Sequence, residues 1–183
     1  MIIERQILKE VLLLKPQVFK DDRGYFFESF KQNLFKDKGL ELNFVQDNEA
    51  FSSNPGIIRG LHYQLGKPQG KLVHVVAGAI KDVAVDIRTN SPDFGKSIII
   101  DLDSKSHNML FIPEGFAHGY LVKEENTIVH YKCTNYYDPS SEFGIFWNDK
   151  DLNIDWGVTD PLLSEKDSNL PNLKDQKNLP SLS

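Results

Sequence analysis

The stretch from residue 42 to residue 134 constrains the fold most. It is a succession of short segments rich in β-branched and aromatic residues, at 42–46, 57–64, 72–76, 80–87, 97–102, 109–112, 117–122 and 127–134. None continues long enough with a 3.6-residue period to make a helix. Breakers fall between them, as Pro55-Gly56, Pro68-Gln69-Gly70, Gly78, Ser91-Pro92 and Pro113-Glu114-Gly115. Many short strands with punctuation at this spacing predict a closed sandwich or barrel rather than alternating strands and helices. Upstream, residues 11–16 are apolar and end at Pro16, and residues 24–30 form an aromatic-rich strand. Residues 32–39 predict a short helix closed by Gly39. The whole chain, residues 1–183, reads as a single domain. Residues 170–183, rich in Asn, Leu, Pro, Lys and Ser, read as a loosely docked tail.

Charge and cysteine usage narrow the function. A formal net charge of -5 argues against a nucleic-acid or membrane-surface binder. It leaves room for a phosphorylated ligand in a locally basic pocket. The single cysteine, Cys133, excludes an intrachain disulfide. Neither a secretory leader pattern nor an apolar run long enough to span a bilayer is evident. The expectation is a soluble cytoplasmic protein.

Two histidines stand inside strand-like segments, His62 in Arg59-Gly60-Leu61-His62-Tyr63-Gln64 and His118 in Pro113-Glu114-Gly115-Phe116-Ala117-His118-Gly119. Between them Asp82-Val83-Ala84-Val85-Asp86-Ile87-Arg88 sets acids among aliphatics. Ionisable groups on the inward faces of a β-barrel are costly to desolvate unless they are paired or used. Strand alternation turns Leu61 and Tyr63 away from His62, and puts Val129 and Tyr131 on one face.

Nine segments occur in a fixed order. They are Arg23-Gly24-Tyr25-Phe26, Gln46-Asp47-Asn48, the His62 segment, Gln69-Gly70-Lys71-Leu72-Val73, the Asp82 segment, Ser91-Pro92-Asp93-Phe94-Gly95-Lys96, the His118 segment, Tyr131-Lys132-Cys133-Thr134-Asn135-Tyr136-Tyr137 and Ser164-Glu165-Lys166-Asp167. This ordered set, running from about residue 7 to residue 167, resembles the dTDP-4-dehydrorhamnose 3,5-epimerase family. The resemblance implies an all-β, cupin-type jelly-roll barrel with a few short peripheral helices. It implies a homodimer with N-terminal strand exchange, no metal and no other cofactor. The implied reaction inverts C3 and C5 of a dTDP-4-keto-6-deoxy sugar in dTDP-rhamnose synthesis.

That chemistry assigns roles to the matching residues. Protons on C3 and C5 flank a C4 ketone, so losing either gives an enolate. The reaction needs a base, a group that stabilises the oxyanion, and an acid on the opposite ring face. His62 suits the base, since imidazole titrates near working pH. By resemblance Asp167 is its carboxylate partner, Lys71 stabilises the enolate and Tyr131 is the acid. Arg23 and Arg59 match diphosphate-contacting positions, with Gln46 and Asn48 as hydrogen-bonding neighbours. Phe26, Glu28 and Tyr137 match positions that frame the thymidine, Tyr137 by stacking. His118 and Asp82 match the sugar pocket. Taken singly, the same residues read as a structural histidine, a surface lysine, a core tyrosine and a solvated turn arginine, and His118 with Asp82 as a structural pair.

A metal cupin offers two histidines one residue apart, a carboxylate and a further histidine. Here Gln64 stands at the second histidine's place, which leaves His62 and His118 without a full ligand set. His74 is an added ionisable group on a strand, and His107 reads as solvated in a polar loop. Two other functions stay open at this level. One is a single-position epimerase of a related nucleotide deoxysugar, and the other is a binding-only nucleotide-sugar cupin.

Overall fold

The computed structural model describes residues 2–5, 8, 10–37 and 39–181. In chain order the strands are β1 (Ile2–Arg5), β2 (Leu12–Lys15), β3 (Phe19–Asp21) and β4 (Gly24–Phe26). After helix α1 (Gln32–Lys36) come β5 (Gln46–Ser52), β6 (Ile58–Gln64), β7 (Lys71–Ala77) and β8 (Ala79–Asp86). Then follow β9 (Ser97–Asp103), β10 (Met109–Ile112), β11 (Phe116–Val122), β12 (Thr127–Cys133), β13 (Glu142–Gly144) and helix α2 (Glu165–Ser168). They form a six-stranded sheet in the order β1-β2-β10-β7-β12-β5 and a five-stranded sheet in the order β13-β6-β11-β8-β9. β3 and β4 make a separate hairpin. This is the two-sheet sandwich expected from the punctuated strands and the jelly roll that the resemblance implies, with two short α-helices at its margin.

The sheets face each other across an apolar interior. Val73, Val75, Leu110, Ile112 and Val129 come from the larger sheet. Ile80, Ala84, Ile98, Leu102, Phe116 and Val122 come from the smaller. Each sheet is also covered outside, because its second face is apolar too. Leu12, Leu14, Leu72, Met109 and Phe111 lie under Phe35 of α1. Ile58, Leu61, Tyr63, Val83, Val85 and Leu121 lie under Ile145, Trp147, Trp156 and Leu173. Leu61 and Tyr63 therefore face away from His62, as alternation required.

The expected tail packs onto that second cover. Leu173 is buried, and its N–H donates to Asp149 Oδ2 at 2.6 Å. Further along, Gln176 Nε2 donates to the Gly144 carbonyl, Tyr63 Oη to the Asn178 carbonyl and Thr89 N to the Pro180 carbonyl. The segment packs because the outer face of the smaller sheet would otherwise expose a row of aliphatics to water. Residues 182 and 183 of the expected tail lie outside the described residues.

Two strand expectations also shift, and one strand is new. Residues 42–45 are irregular, and the strand starts at Gln46 and runs to Ser52. Gln46-Asp47-Asn48-Glu49 hid it, because an edge strand with polar side chains on both faces shows no apolar alternation. Residues 24–30 yield only the short β4, paired with β3 and exposed throughout. Strand β1, an edge strand paired antiparallel with β2 of the same chain, extends the sheet beyond the first apolar run.

Candidate active site

Two glycines bring the site together. β6 and β11 pair with a register shift beside Gly60, and they set His62 directly opposite His118. A Cβ on Gly60 would stand 2.6 Å from Gly119 Cα and from the His118 carbonyl, while one on Gly119 would stand 2.7 Å from the Arg59 carbonyl. Gly60 also holds φ +111°, which side-chain-bearing residues rarely adopt. The glycines of the two histidine segments are thus a condition of the strands' close approach.

His62 points into the interior, and its Nε2 donates to Asp167 Oδ1 at 2.6 Å. The carboxylate fixes the ring proton on the nitrogen facing it, so the other ring nitrogen carries the lone pair. Asp167 is 4% exposed and also accepts from the Gly60 N–H at 3.3 Å. Ser164 caps α2 by accepting from the Asp167 N–H at 3.0 Å, which fixes the aspartate on its short helix. Burial alone would raise the Asp167 pKa. The His62 bond and charge, with Gly60 and Ser164, hold it below its ordinary value.

Across the interior stands the larger sheet. Tyr131 on β12 and Lys71 at the start of β7 lie on adjacent strands, with Lys71 paired opposite Cys133. Burial raises the Tyr131 pKa, Cys133 and Glu142 add to this, and Arg59 opposes it, so the phenol stays protonated. Burial lowers the Lys71 pKa, against the pull of Cys133, Glu142 and Asp82.

These groups line a two-lobed cavity. One lobe, about 520 Å³, is walled by Arg59, His62, Lys71, His118, Tyr120, Tyr131, Leu162, Leu163, Lys166 and Asp167, among others. The second, about 320 Å³, adds Gln46, Asn48, Gln69, Tyr137 and Glu142, and shares His62, Lys71 and Tyr131 with the first. Both volumes are typical of small-ligand sites, about 300–1,000 Å³. The three shared residues mark the junction.

The expected residues are placed unequally. Gln46 and Asn48 project inward from β5, Gln46 Nε2 donating to Asn48 Oδ1 at 2.9 Å. Arg59 spans to the opposite sheet edge, donating to the Phe51 carbonyl at 3.0 Å. Tyr137 lines the smaller lobe and is half exposed. Asp82 is fully buried behind His118 rather than on the cavity wall, and His118 Nε2 donates to its Oδ1 at 2.9 Å. Arg23, Phe26 and Glu28 lie on or beside the β3–β4 hairpin and line neither lobe in this chain. Arg23 forks onto Asp21, and Glu28 pairs with Lys31. His107, expected to be solvated, is 5% exposed, stacked near Tyr25 and Phe27.

Two charged wall residues had no role in the sequence reading. Glu142 Oε2 accepts from Tyr137 Oη at 2.6 Å and from Lys166 Nζ at 2.5 Å. Its bond to Tyr137 helps push that phenol's pKa up to about 12. Lys166 has a visible signal, since it sits beside Asp167 in the Ser164–Asp167 segment. Glu142 had none, because β13 is three residues long. Gln64 also gains a task. Its Nε2 donates to the carbonyls of Lys67 and Tyr136, and its Oε1 accepts from the Asp138 N–H at 2.8 Å. It anchors the loop that carries Tyr137.

Comparison with known proteins gives the family. The family profile of dTDP-4-dehydrorhamnose 3,5-epimerase matches residues 5–175. A Methanothermobacter thermautotrophicus protein of that name is 47% identical over 171 residues, 92% of each chain. One from Shigella flexneri is 49% identical over 164 residues, 88% of this chain and 90% of its own. The crystal structure of the Legionella pneumophila dTDP-6-deoxy-D-glucose-3,5-epimerase, in complex with dTDP-4-keto-L-rhamnose, superposes with a TM-score of 0.94 at 40% identity, covering 99% of this chain and 98% of the other. The chain belongs to the dTDP-4-dehydrorhamnose 3,5-epimerase family of isomerases.

Proposed function

We propose that this chain inverts C3 and C5 of dTDP-4-dehydro-6-deoxy-D-glucose to give dTDP-4-dehydro-L-rhamnose, in dTDP-rhamnose biosynthesis. The observation that carries the reading is the opposition of two proton-transfer groups. The His62–Asp167 pair reaches the cavity from β6 of the smaller sheet, and the Tyr131 phenol from β12 of the larger. A sugar ring held between them presents one face to each. His62 removes the proton next to the ketone, Lys71 stabilises the enolate oxygen, and Tyr131 returns a proton from the other side. Asp167 positions His62 and stabilises the imidazolium that forms. Arg59, Gln46, Asn48 and Tyr137 hold the nucleotide end, with His118 beside the sugar and Asp82 behind it.

Arg23, Phe26 and Glu28 join the site through a second copy of the chain. The hairpin that carries Arg23 and Phe26 exposes Phe19, Tyr25 and Phe26 by 54%, 59% and 67%, which suits a surface covered by another subunit. We take the assembly to be a homodimer with exchanged N-terminal strands, in which edge strand β1 pairs with the other subunit. The lone unpaired cysteine suits a reducing cytoplasm.

Incubation with dTDP-4-keto-6-deoxyglucose in deuterated buffer tests the reaction. Deuterium at both C3 and C5 is expected. Label at one carbon only would convert the reading to a single-position epimerase, and no label would leave a binding protein. Light scattering at native mass would refute the dimer by returning a monomer.

A further inference from the structure

Among the described residues, four buried polar side-chain atoms have no hydrogen-bond partner: His74 Nε2, Asp82 Oδ2, Trp147 Nε1 and Tyr120 Oη. Of these residues, Tyr120 is the one on the wall of the larger cavity lobe. Tyr120 is 5% exposed and sits on β11 two residues beyond His118, on the same inward face. It is paired opposite Asp82 on one neighbouring strand and Arg59 on the other, with its ring centroid 6.2 Å from that of His118. It shares its lobe with His62, Lys71 and Tyr131.

A buried hydroxyl without a partner disfavours the folded chain, and phenylalanine would fill the same space without that penalty. A polar atom kept unpaired on a cavity wall points to a partner supplied by the ligand. We infer that Tyr120 is a specificity-determining residue, its Oη donating a hydrogen bond to an oxygen of the bound sugar. The inference rests on the nucleotide-sugar reading above. It differs from the role of Tyr131 in kind. Burial, with Tyr131 and Asp82 nearby, raises the Tyr120 pKa well above that of an ordinary phenol, while Arg59 opposes the shift. Such a phenol keeps its O–H available to donate, and its place on β11, apart from Tyr131 on β12, gives it a holding rather than a proton-returning task. A site built to donate to a sugar oxygen discriminates against sugars that lack it, because the donor is then left buried and unpaired.

The test is Tyr120→Phe, compared with wild type by calorimetric titration against dTDP and against dTDP-glucose, with a thermal melt of each ligand-free protein. Affinity for dTDP-glucose should fall about 3- to 10-fold, the usual consequence of losing one neutral hydrogen bond. Affinity for dTDP, which has no sugar, should stay within about two-fold. The melting temperature should hold or rise, since an unpaired buried hydroxyl is removed. Equal dTDP-glucose affinity in the two proteins would overturn the inference. So would a parallel loss for both ligands, or a lowered melting temperature, since either shows a structural role. If wild type binds both ligands yet labels no substrate carbon in deuterated buffer, the proposed reaction fails while the Tyr120 comparison still reads. If wild type binds neither ligand, both fail.

Discussion

Replacing Asp167 by asparagine probes the proposed base most directly. The side chain keeps its shape, and Ser164 still caps the helix through the backbone N–H. What is lost is the charge that faces His62 at 2.6 Å in a site where the carboxylate is 4% exposed. A hydrogen bond to a charged group contributes about 1.5–3 kcal/mol, or about 10- to 150-fold in kcat/KM when it acts only in the transition state. His62 gains its positive charge in that state, so most of the effect should appear in kcat. The amide has one acceptor for two donors, His62 Nε2 and the Gly60 N–H at 3.3 Å. If the amide NH2 turns toward the ring, His62 is driven to the other tautomer. The loss then approaches the roughly 10,000-fold of the Ser-His-Asp triad when its aspartate becomes asparagine. The expected result is a fall in the rate of deuterium entry at C3 and C5 of at least about ten-fold, followed by proton NMR, with dTDP binding retained. Wild-type rates in a folded Asp167→Asn protein would refute the pairing as a source of basicity.

Other perturbations separate the remaining roles. Tyr131→Phe should still lose the C5 proton but not invert that carbon, so normal turnover to the rhamnose isomer would remove Tyr131 as the acid. Lys71→Met should lower kcat about 100- to 1,000-fold, the cost of removing one oxyanion donor from an enclosed site, and unchanged kcat would place Lys71 outside the chemistry. His74 is held to about 4 by burial, with His107 and His130 adding to the effect, against 6.5 for free imidazole. The unfolded chain therefore binds the proton first, and stability falls as pH drops from the free value toward the folded one. Allowing for screening at a partly exposed ring, the loss is about 1–3 kcal/mol. His74→Leu should shrink the drop in melting temperature between about pH 7 and about pH 4.5, and an unchanged drop would discount His74. Among the described residues no three His, Cys, Asp or Glu side chains gather as a metal site, and Gln64 is committed to its loop. Activity should survive dialysis against EDTA, and a loss restored by a divalent cation would contradict this.

The strands most legible in the sequence are those that alternate or are apolar throughout. β8 is buried along almost its whole length, so Ile80 through Asp86 reads as an apolar strand interrupted by Lys81 and two acids. Those acids are legible as anomalies because each has a partner, Asp82 with His118 and Asp86 with Arg88 and Ser91. β5 was illegible for the complementary reason. Its inward residues Gln46 and Asn48 serve a cavity rather than a core, so the apolar signal that marks a strand is absent where the strand does its work. The docking of residues 170–180 is hidden because Leu170, Leu173 and Leu179 are scattered through a polar segment with neither a strand nor a helix period. Only the apolar outer face of the smaller sheet, a tertiary property, says where it goes.

Within the site, legibility depended on whether a residue acts alone or through its neighbours. His62, Lys71 and Tyr131 converge from three separate strands, and no local spacing links them; the ordered motifs made them visible, and the jelly roll explains why such distant segments meet. Glu142 illustrates the opposite case. It occupies the margin of β6 through a three-residue strand, and its value comes from Tyr137 and Lys166, which reach it from a loop and from helix α2. Gln64 shows how one residue can be read correctly and incompletely at once. Its side chain denies a metal the second imidazole, and its amide pins the loop that carries Tyr137. The same substitution that would offer a metal ligand, Gln64→His, would release that loop. With Tyr137 holding the nucleotide as proposed above, metal chemistry and nucleotide recognition are coupled through a single side chain. A Gln64→His protein that gained a metal yet kept full affinity for dTDP would break that coupling.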